Sequence, residues 1–503
     1  MRRKKQKQDQ KRIEEIYALF NEYMDLYAQE WMRLERCEKL YHGQHWEEMQ
    51  GVDEREPKPV TPVIFSTVES IRADLSEMIP EAVITADDPR YVEVAATLTE
   101  VVRENHKRSH FDREYHRMLH DLLVGGMMVL EVGFDPYAAG GVGGAFLKHV
   151  DSRSIMFDPY CTDIQDSRAI FKFKPHRREW YFKYYPDYAD MMISDGYTHD
   201  KTRDAFASLD QSDTIMLIEC WERKFNAKTG KHEVHMCKLA GSVMLEDSSV
   251  SKSYGYFEHG FYPFVASALY ERKGTYLGYG IADMFENRQL VADKLDQIVL
   301  KNALMASHNK LLITGASGFD ANDLRDWSKE VHEGDSLSGI SWFSTAPLPS
   351  YVFEYMESVR SSIKEESGSN DISRGSVAAG VTAASAIAAL QEMASKRSRL
   401  AQRSIYAAFC EAVQLEINIE REFSILPKLS ELKLSRIPTE MQVSVKVQHA
   451  NAFSTISHNE LILSLVQHGI IKQDVALDLM IFEGKEHAIS LMKEYTNKST
   501  AAN

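Results

Sequence analysis

No run of about 18 apolar residues occurs in the 503 residues, so the sequence offers no candidate membrane-spanning helix. Cysteine is scarce: Cys37, Cys161, Cys220, Cys237 and Cys410 stand apart, with no C-x-x-C pair. That scatter excludes a disulfide framework and a cysteine-rich zinc site, and it fits free thiols in a reducing compartment. The phosphate loop G-x-x-x-x-G-K-[ST], the nucleophile elbow G-x-S-x-G and the zinc-protease H-E-x-x-H are all missing. The Gly-rich run Gly140–Gly144 lacks a following Lys-Ser/Thr and lies between two β-like runs. It reads as a hairpin turn, because a phosphate cradle needs a helix N-terminus there. Positive charge is also in deficit: 59 Lys plus Arg stand against 74 Asp plus Glu, a net charge of −15. This argues against a protein that neutralises phosphates over its whole surface. It leaves open one that encloses nucleic acid without gripping it.

What is present is ordinary globular material, 44% hydrophobic and 26% charged. The length points to about three or four structural units. The start, MRRKKQKQDQKR, is strongly basic, but Ile13–Trp31 after it is amphipathic, with Glu14, Glu15, Asp25 and Glu30, unlike the core of a signal peptide. The basic start is either a nucleic-acid arm or the solvated beginning of a helix.

Ile13, Ile16, Leu19, Phe20, Tyr23, Met24, Tyr27 and Trp31 recur at helical spacing and predict a helix over 11–47, ending near Gly43. Pro57, Pro59 and Pro62 make 51–62 a loop; a helix follows over about Val63–Met78, and 91–123 reads as a helix rich in His and Arg. From Met127 the period becomes that of strands. Met127–Phe134 and Phe146–Val150 predict a hairpin. Further β-like runs are Ile155–Phe157, Ala169–Lys174, Thr214–Lys224, Glu233–Leu239, Val243–Leu245 and Val265–Tyr270, interrupted by helical Trp180–Ser194. The first half is therefore α+β with a largely antiparallel sheet.

The second half lacks glycine and proline over 281–314 and again over 381–426. Ile281, Met284, Phe285, Val291, Leu295, Ile298, Val299 and Met305 form one stripe, predicting a helix that spans roughly 40 Å. The mixed segment 310–349 carries β-like Leu311–Thr314 and Ile340–Phe343 with a polar helix near Ala321–His332. A short helix, Tyr351–Glu366, leads to the small-residue loop Ser367–Gly380. Val381–Leu426 then predicts a helix of roughly 60 Å, a bridging element or part of an assembly. Val443–Gln448 reads as a strand, and Ser457–Tyr495 as short helices broken at Gly469 and Gly484.

Three groups of side chains are candidates for chemistry. Spacings of four would pair His106 with His110 and His116 with His120 on helix faces, as a metal site needs. Arg103, Lys107, Arg108, Arg113 and Arg117 in the same stretch oppose a cation, so a solvated or interface helix is the competing reading. Asp283, Glu286, Asp293 and Asp296 read as a solvated acidic face rather than acid/base machinery. Lys396, Arg397, Arg399 and Arg403 form a basic patch, either facing phosphate or simply solvated.

Several patches gain meaning together. Tyr41-His42-Gly43-Gln44-His45-Trp46 follows the N-terminal helix. Val150-Asp151 and Phe157-Asp158-Pro159, with Asp163 and Asp166, follow the hairpin. Phe261-Tyr262-Pro263-Phe264 leads to Gly278-Tyr279-Gly280 and a long helix carrying Gln289. Then come a small mixed insert, a shorter helix, a small-residue loop and a very long helix, with Gly380, Thr382, Ala383, Ser385, Ala386 and Leu390 at the loop-to-helix junction. These residues and this order resemble the portal proteins of tailed bacteriophages, over nearly the whole chain in order and strongly in patches.

The resemblance implies a wing over 1–276, a stem helix over 277–308, a clip over 309–349 and a second stem helix over 350–367. A tunnel loop over 368–382, a long channel helix over 383–426, a wing strand and linker over 427–455 and a helical crown over 456–503 would follow. It implies a homo-oligomeric ring, typically a dodecamer, around a channel for duplex DNA at one capsid vertex of the virion. The ring would assemble in the host cytoplasm with capsid and scaffolding proteins. It would dock the terminase large subunit during packaging and the tail adaptor later, with no cofactor, no membrane and no chemistry of its own. The implied DNA-facing residues are Asn370, Asp371, Ser373, Arg374, Ser376 and Val377 of the tunnel loop, with Arg374 nearest a phosphate, and the basic patch Lys396, Arg397, Arg399 and Arg403. The implied docking residues are Asp320, Asp323, Arg325, Lys329 and Glu330. An acidic ring suits a conduit, since each cation that neutralises a phosphate adds affinity through counterion release. The competing readings are another structural virion or tail-connector protein, and a metal-dependent nucleic-acid enzyme built on the four histidines.

Overall fold

A computed structural model describes residues 2–47, 49, 53, 55–86, 88–189, 214–227, 230–251, 255–307, 310–325, 328–343, 346–367, 396–423, 442–447, 452–471, 476 and 480. Helix α1 runs Arg2–Tyr41, and its buried stripe includes Ile16, Phe20, Tyr23, Tyr27 and Trp31, the periodic residues of the sequence. Then come α2 (Val63–Ser76), β1 (Pro80–Thr85), α3 (Val92–Arg108) and α4 (Phe111–His120). The sequence predicts one helix over 91–123 where the structure has two. His110 separates them at φ 53°, the only left-handed non-glycine among the described residues. That conformation costs about 1–2 kcal/mol in a helix, so the spacing of four across it no longer places side chains on one face. After α4 the helix widens over Asp121–Gly125 and stops at Gly126, φ 88°.

Strands β2 (Met127–Asp135) and β3 (Gly144–Val150) form the antiparallel hairpin read from the sequence, Asp135 facing Gly144. Next, β4 (Ile155–Phe157), β5 (Ala169–Arg177), β6 (Thr214–Asn226), β7 (Lys231–Ala240) and β8 (Val243–Asp247) build one antiparallel sheet in chain order. Between β5 and β6, helix α5 covers only Arg178–Tyr184, and Pro186 opens a separate turn. Of the predicted Trp180–Ser194, residues from 190 on lie outside the described set. Strand β9 (Phe264–Ala268) pairs with the other side of β2. Phe20 of α1 meets Phe171 and Phe173 of β5 edge to face, centroids 5.4 and 5.6 Å apart, so α1 lies on the five-stranded sheet. The result is an α+β fold with antiparallel sheets.

Helix α6 (Ile281–Ser307) follows a close backbone crossing. A Cβ on Gly126 would fall 2.3 Å from the Tyr279 carbonyl carbon, and one on Gly280 would fall 2.1 Å from the Val124 carbonyl oxygen. Only glycine admits this approach, which seats the start of α6 against the end of α4. A small hairpin, β10 (Lys310–Ile313) with β11 (Ile340–Phe343), separates α6 from α7 (Ser350–Ser367). Inside the hairpin, turns over 321–325 replace the predicted polar helix. The Asp320 carboxylate accepts the Asn322 backbone N–H at 2.9 Å, a local bond that competes with helix formation. Helix α8 (Lys396–Phe423) lays Ile405, Phe409, Ala412 and Val413 on the three-stranded sheet. Strand β12 (Gln442–Val447) pairs antiparallel with β1, and α9 spans Ala452–Gln467. The sequence predicts β12 but not its partner β1. Among the described residues no helix is long and apolar enough to cross a membrane.

Candidate functional site

The α6–hairpin–α7 unit has two unlike ends. At the body end, the Gly280 N–H donates to the Asp283 carboxylate at 2.8 Å, which caps α6 and places negative charge at its N-terminus. Asp283 also pairs with Arg33 of α1, and Glu286 with Arg36 at 3.0 Å. The i,i+3 spacing of the cations matches that of the carboxylates. Arg33 is held further by Glu30 at 2.6 Å and by the Gly125 carbonyl at 2.7 Å. Arg272 completes the group, 2.9 Å from Glu30.

Further along α6, Gln289 and Asp293 are 0% exposed. Gln289 donates to the Thr61 carbonyl at 2.7 Å, and its Oε1 accepts the Val63 and Ile64 N–H groups at 3.1 and 3.2 Å. Those N–H groups belong to the first turn of α2, where Pro62 supplies no side-chain cap, so Gln289 satisfies donors the helix leaves open. His45, also fully buried, places Nδ1 2.6 Å from Asp293 Oδ2 and Nε2 2.8 Å from the Leu40 carbonyl. Burial pulls the imidazole pKa down, but the Asp293 carboxylate and the Leu40 carbonyl outweigh it, and the net shift is upward. Asp296 accepts from Thr61 Oγ1 at 2.6 Å and pairs with Arg360 of α7 at 2.7 Å. The acidic face read as solvated is therefore a docking ladder: each of its four carboxylates holds a cation or an imidazole.

The body half of α6 exposes Met284 at 50% and Val291 at 41%, and toward the far end exposed apolar residues become the majority: Ile298 is 47% exposed and Leu304 43%, with Leu300 and Met305 exposed beside them in sequence. On α7, Tyr351, Phe353 and Tyr355 are exposed, and on the hairpin Leu312, Leu337 and Trp342. The hairpin is held by its own strand pairing and by local bonds such as Asp335 N–H to the Ser317 carbonyl, 2.9 Å. Asp320, Arg325, Lys329 and Glu330 are exposed there. Asp323 contacts Lys329 and lies 3.3 Å from His332; Lys329 first and His332 second hold its carboxyl below the usual range.

Asn370, Asp371, Ser373, Arg374, Ser376 and Val377 lie outside the described residues, as do 383–395 of the predicted long helix. Lys396 and Arg397 belong to the backbone of α8, and Arg399 and Arg403 are exposed on it. The four histidines do not converge. His106 meets Glu416 at 2.9 Å, His120 meets Glu38 at 3.0 Å, His116 lies 3.3 Å from Ser76 Oγ, and His110 occupies the break between α3 and α4. Among the described residues no group of three or more His, Cys, Asp or Glu gathers as a metal site.

The family model described as Phage P22-like portal protein matches residues 17–416, from α1 through most of α8. No curated protein matches the chain.

Proposed function

Because the chain belongs to the family of phage P22-like portal proteins, we propose that it forms a ring-shaped channel through which duplex DNA enters the capsid and later leaves. The family is structural rather than enzymatic, and its members are ring components at the capsid vertex.

The observation that carries it is the far end of α6–hairpin–α7. Ile298, Leu304, Tyr351 and Phe353 are exposed among the described residues, and apolar surface of this kind is stable when a neighbouring copy covers it. The α6–α7 pair would be the stem, the hairpin over 309–349 the clip, 368–382 the tunnel loop, and the body with β12 the wing. Asp320, Asp323, Arg325, Lys329 and Glu330 would meet the terminase large subunit and then the tail adaptor. Arg374 would come nearest the DNA, with Arg399 and Arg403 behind it on the channel helix. A net charge of −15 per chain keeps duplex DNA from adhering to the passage.

Electron microscopy of the purified chain tests the assembly. Rings with a central hole of duplex width are expected; a monomer across salt and protein concentration overturns it. Deleting 370–379 should leave rings intact and impair DNA packaging or retention. Loss of rings would show that this segment is structural.

A further inference from the structure

Two of the cysteines face each other. Cys220 of β6 and Cys237 of β7 are direct partners in the antiparallel register, and no other two cysteines are in register among the described strands. Opposed residues on antiparallel strands share a face of the sheet, with Cα atoms about 4.5–5.5 Å apart. A disulfide spans about 4.4–6.8 Å between Cα atoms, so the register supplies the spacing the bond needs. Both thiols are free.

The N-terminal part of α1 covers the pair. Phe171, the neighbour of Cys220 on β5, meets Phe20 and Tyr23 edge to face. Glu222, two residues beyond Cys220 and on the same face, pairs with Arg12. Tyr17 donates to the Gly241 carbonyl at 2.6 Å, in the turn between β7 and β8. Residues 12–23 therefore run over Cys220 and Cys237, which are 0% and 1% exposed. Burial pushes the Cys237 thiol up to about 12, with Asp247 adding to it, and raises the Cys220 thiol as well. While α1 is seated, neither sulfur is a thiolate at neutral pH and the pair is inert.

We propose that Cys220 and Cys237 are a latent cross-strand disulfide, closed by a hydroperoxide when residues 12–23 of α1 lift. Lifting admits water and oxidant together, and the thiols return toward their ordinary value of about 8.5. One thiolate attacks hydrogen peroxide. An S–O bond forms, the O–O bond breaks, and the departing hydroxide takes up the proton the thiol released, leaving a sulfenic acid and water. The second sulfur then attacks the first. The S–S bond forms, the S–O bond breaks, and hydroxide leaves with the second thiol's proton as water. The two sulfurs have given two electrons to the peroxide. The new bond ties β6 to β7 across their turn, which restricts the unfolded chain and stabilises the sheet.

The test exposes the purified full chain to hydrogen peroxide at neutral pH, blocks remaining thiols by alkylation and reads non-reduced peptides by mass spectrometry. A slow linkage of Cys220 to Cys237 is expected, absent in Cys237→Ser, and the linked chain should melt at a higher temperature. Arg12→Ala removes an anchor of the cover and should quicken closure by about tenfold, the size expected for a hydrogen bond to a charged group. Tyr17→Phe, which loses one neutral hydrogen bond and disturbs folding less, should quicken it by a smaller factor. No linkage in any of these chains after prolonged exposure, or sulfinic acid at either position in place of the linkage, would overturn the proposal. Equal rates in the unaltered chain and both α1 variants would show that α1 is not the gate. A linked chain that melts lower would show that the bond strains the sheet. None of these readouts depends on ring formation, so failure here leaves the channel reading standing.

Discussion

The two ends of α6 divide residue types differently: the body end buries polar side chains, and the far end exposes most of its apolar ones. At the body end, Asp283, Gln289 and Asp293 are buried or nearly so, and each polar atom has a partner in α1, α2 or the chain between them. At the far end, Ile298 and Leu304 stand in solvent. A helix end whose polar groups are all satisfied internally is complete when the chain folds. One that leaves apolar surface exposed is where, on the proposed channel reading, a second copy would dock.

Breaking the body end should have the largest effect. Asp293→Ala leaves His45 buried without its carboxylate and the Thr61 N–H without an acceptor. Removing one member of a buried pair costs about 3–5 kcal/mol, so the urea midpoint should fall steeply. Asp293→Asn, which retains an acceptor, should fall less. A change below about 1 kcal/mol for Asp293→Ala would mean that the node is ornamental.

The far end should respond in the opposite sense. Ile298→Glu with Leu304→Glu replaces exposed apolar side chains, so the melt of the single chain should barely move. Sedimentation should nevertheless show loss of rings. If the chain unfolds while rings persist, these residues pack internally and the contrast along α6 collapses.

A pH series sharpens the comparison at lower amplitude. His45 has its pKa raised in the folded state, with Asp293 and Leu40 overcoming burial. Its contribution is therefore fully present below the ordinary imidazole value of about 6.5 and is lost as pH rises through the folded value. The melting midpoint should fall across that rise in the unaltered chain, and the fall should be smaller in His45→Gln. Identical slopes would remove the imidazolium from the account.

Much of this was legible in the sequence, for physical reasons. Elements with a clean period, such as α1, the β2–β3 hairpin, α6 and the β10–β11 strands, carry their own signal. Three readings failed where the deciding interaction is non-local or stereochemical. The acidic face of α6 looks solvated until Arg33, Arg36, His45 and Arg360 are brought to it; the one clue was the matched i,i+3 spacing of Arg33/Arg36 and Asp283/Glu286. The break at His110 is a backbone conformation that no polarity pattern announces. Strand β1 is short, begins with proline and finds its partner only near the other end of the chain. Of the candidate site residues, those of the hairpin can be placed and those of 370–377 lie outside the described residues.

The smallest expected effect lies at the tip. Asp323 is held below the ordinary carboxyl range by Lys329 and then His332, but all three belong to the hairpin. Asp323→Asn should therefore leave the melting midpoint of the whole chain where it was, because nothing in the body depends on the pair. Amide exchange over 320–332 should quicken, since the local turn loses its charged brace. The two readouts together are the test. Quickened exchange with an unmoved midpoint means that the far end folds on its own terms. A midpoint that falls with Asp323→Asn would mean that strain at the tip reaches the body through α6 and α7, and the two ends would have to be treated as one cooperative unit.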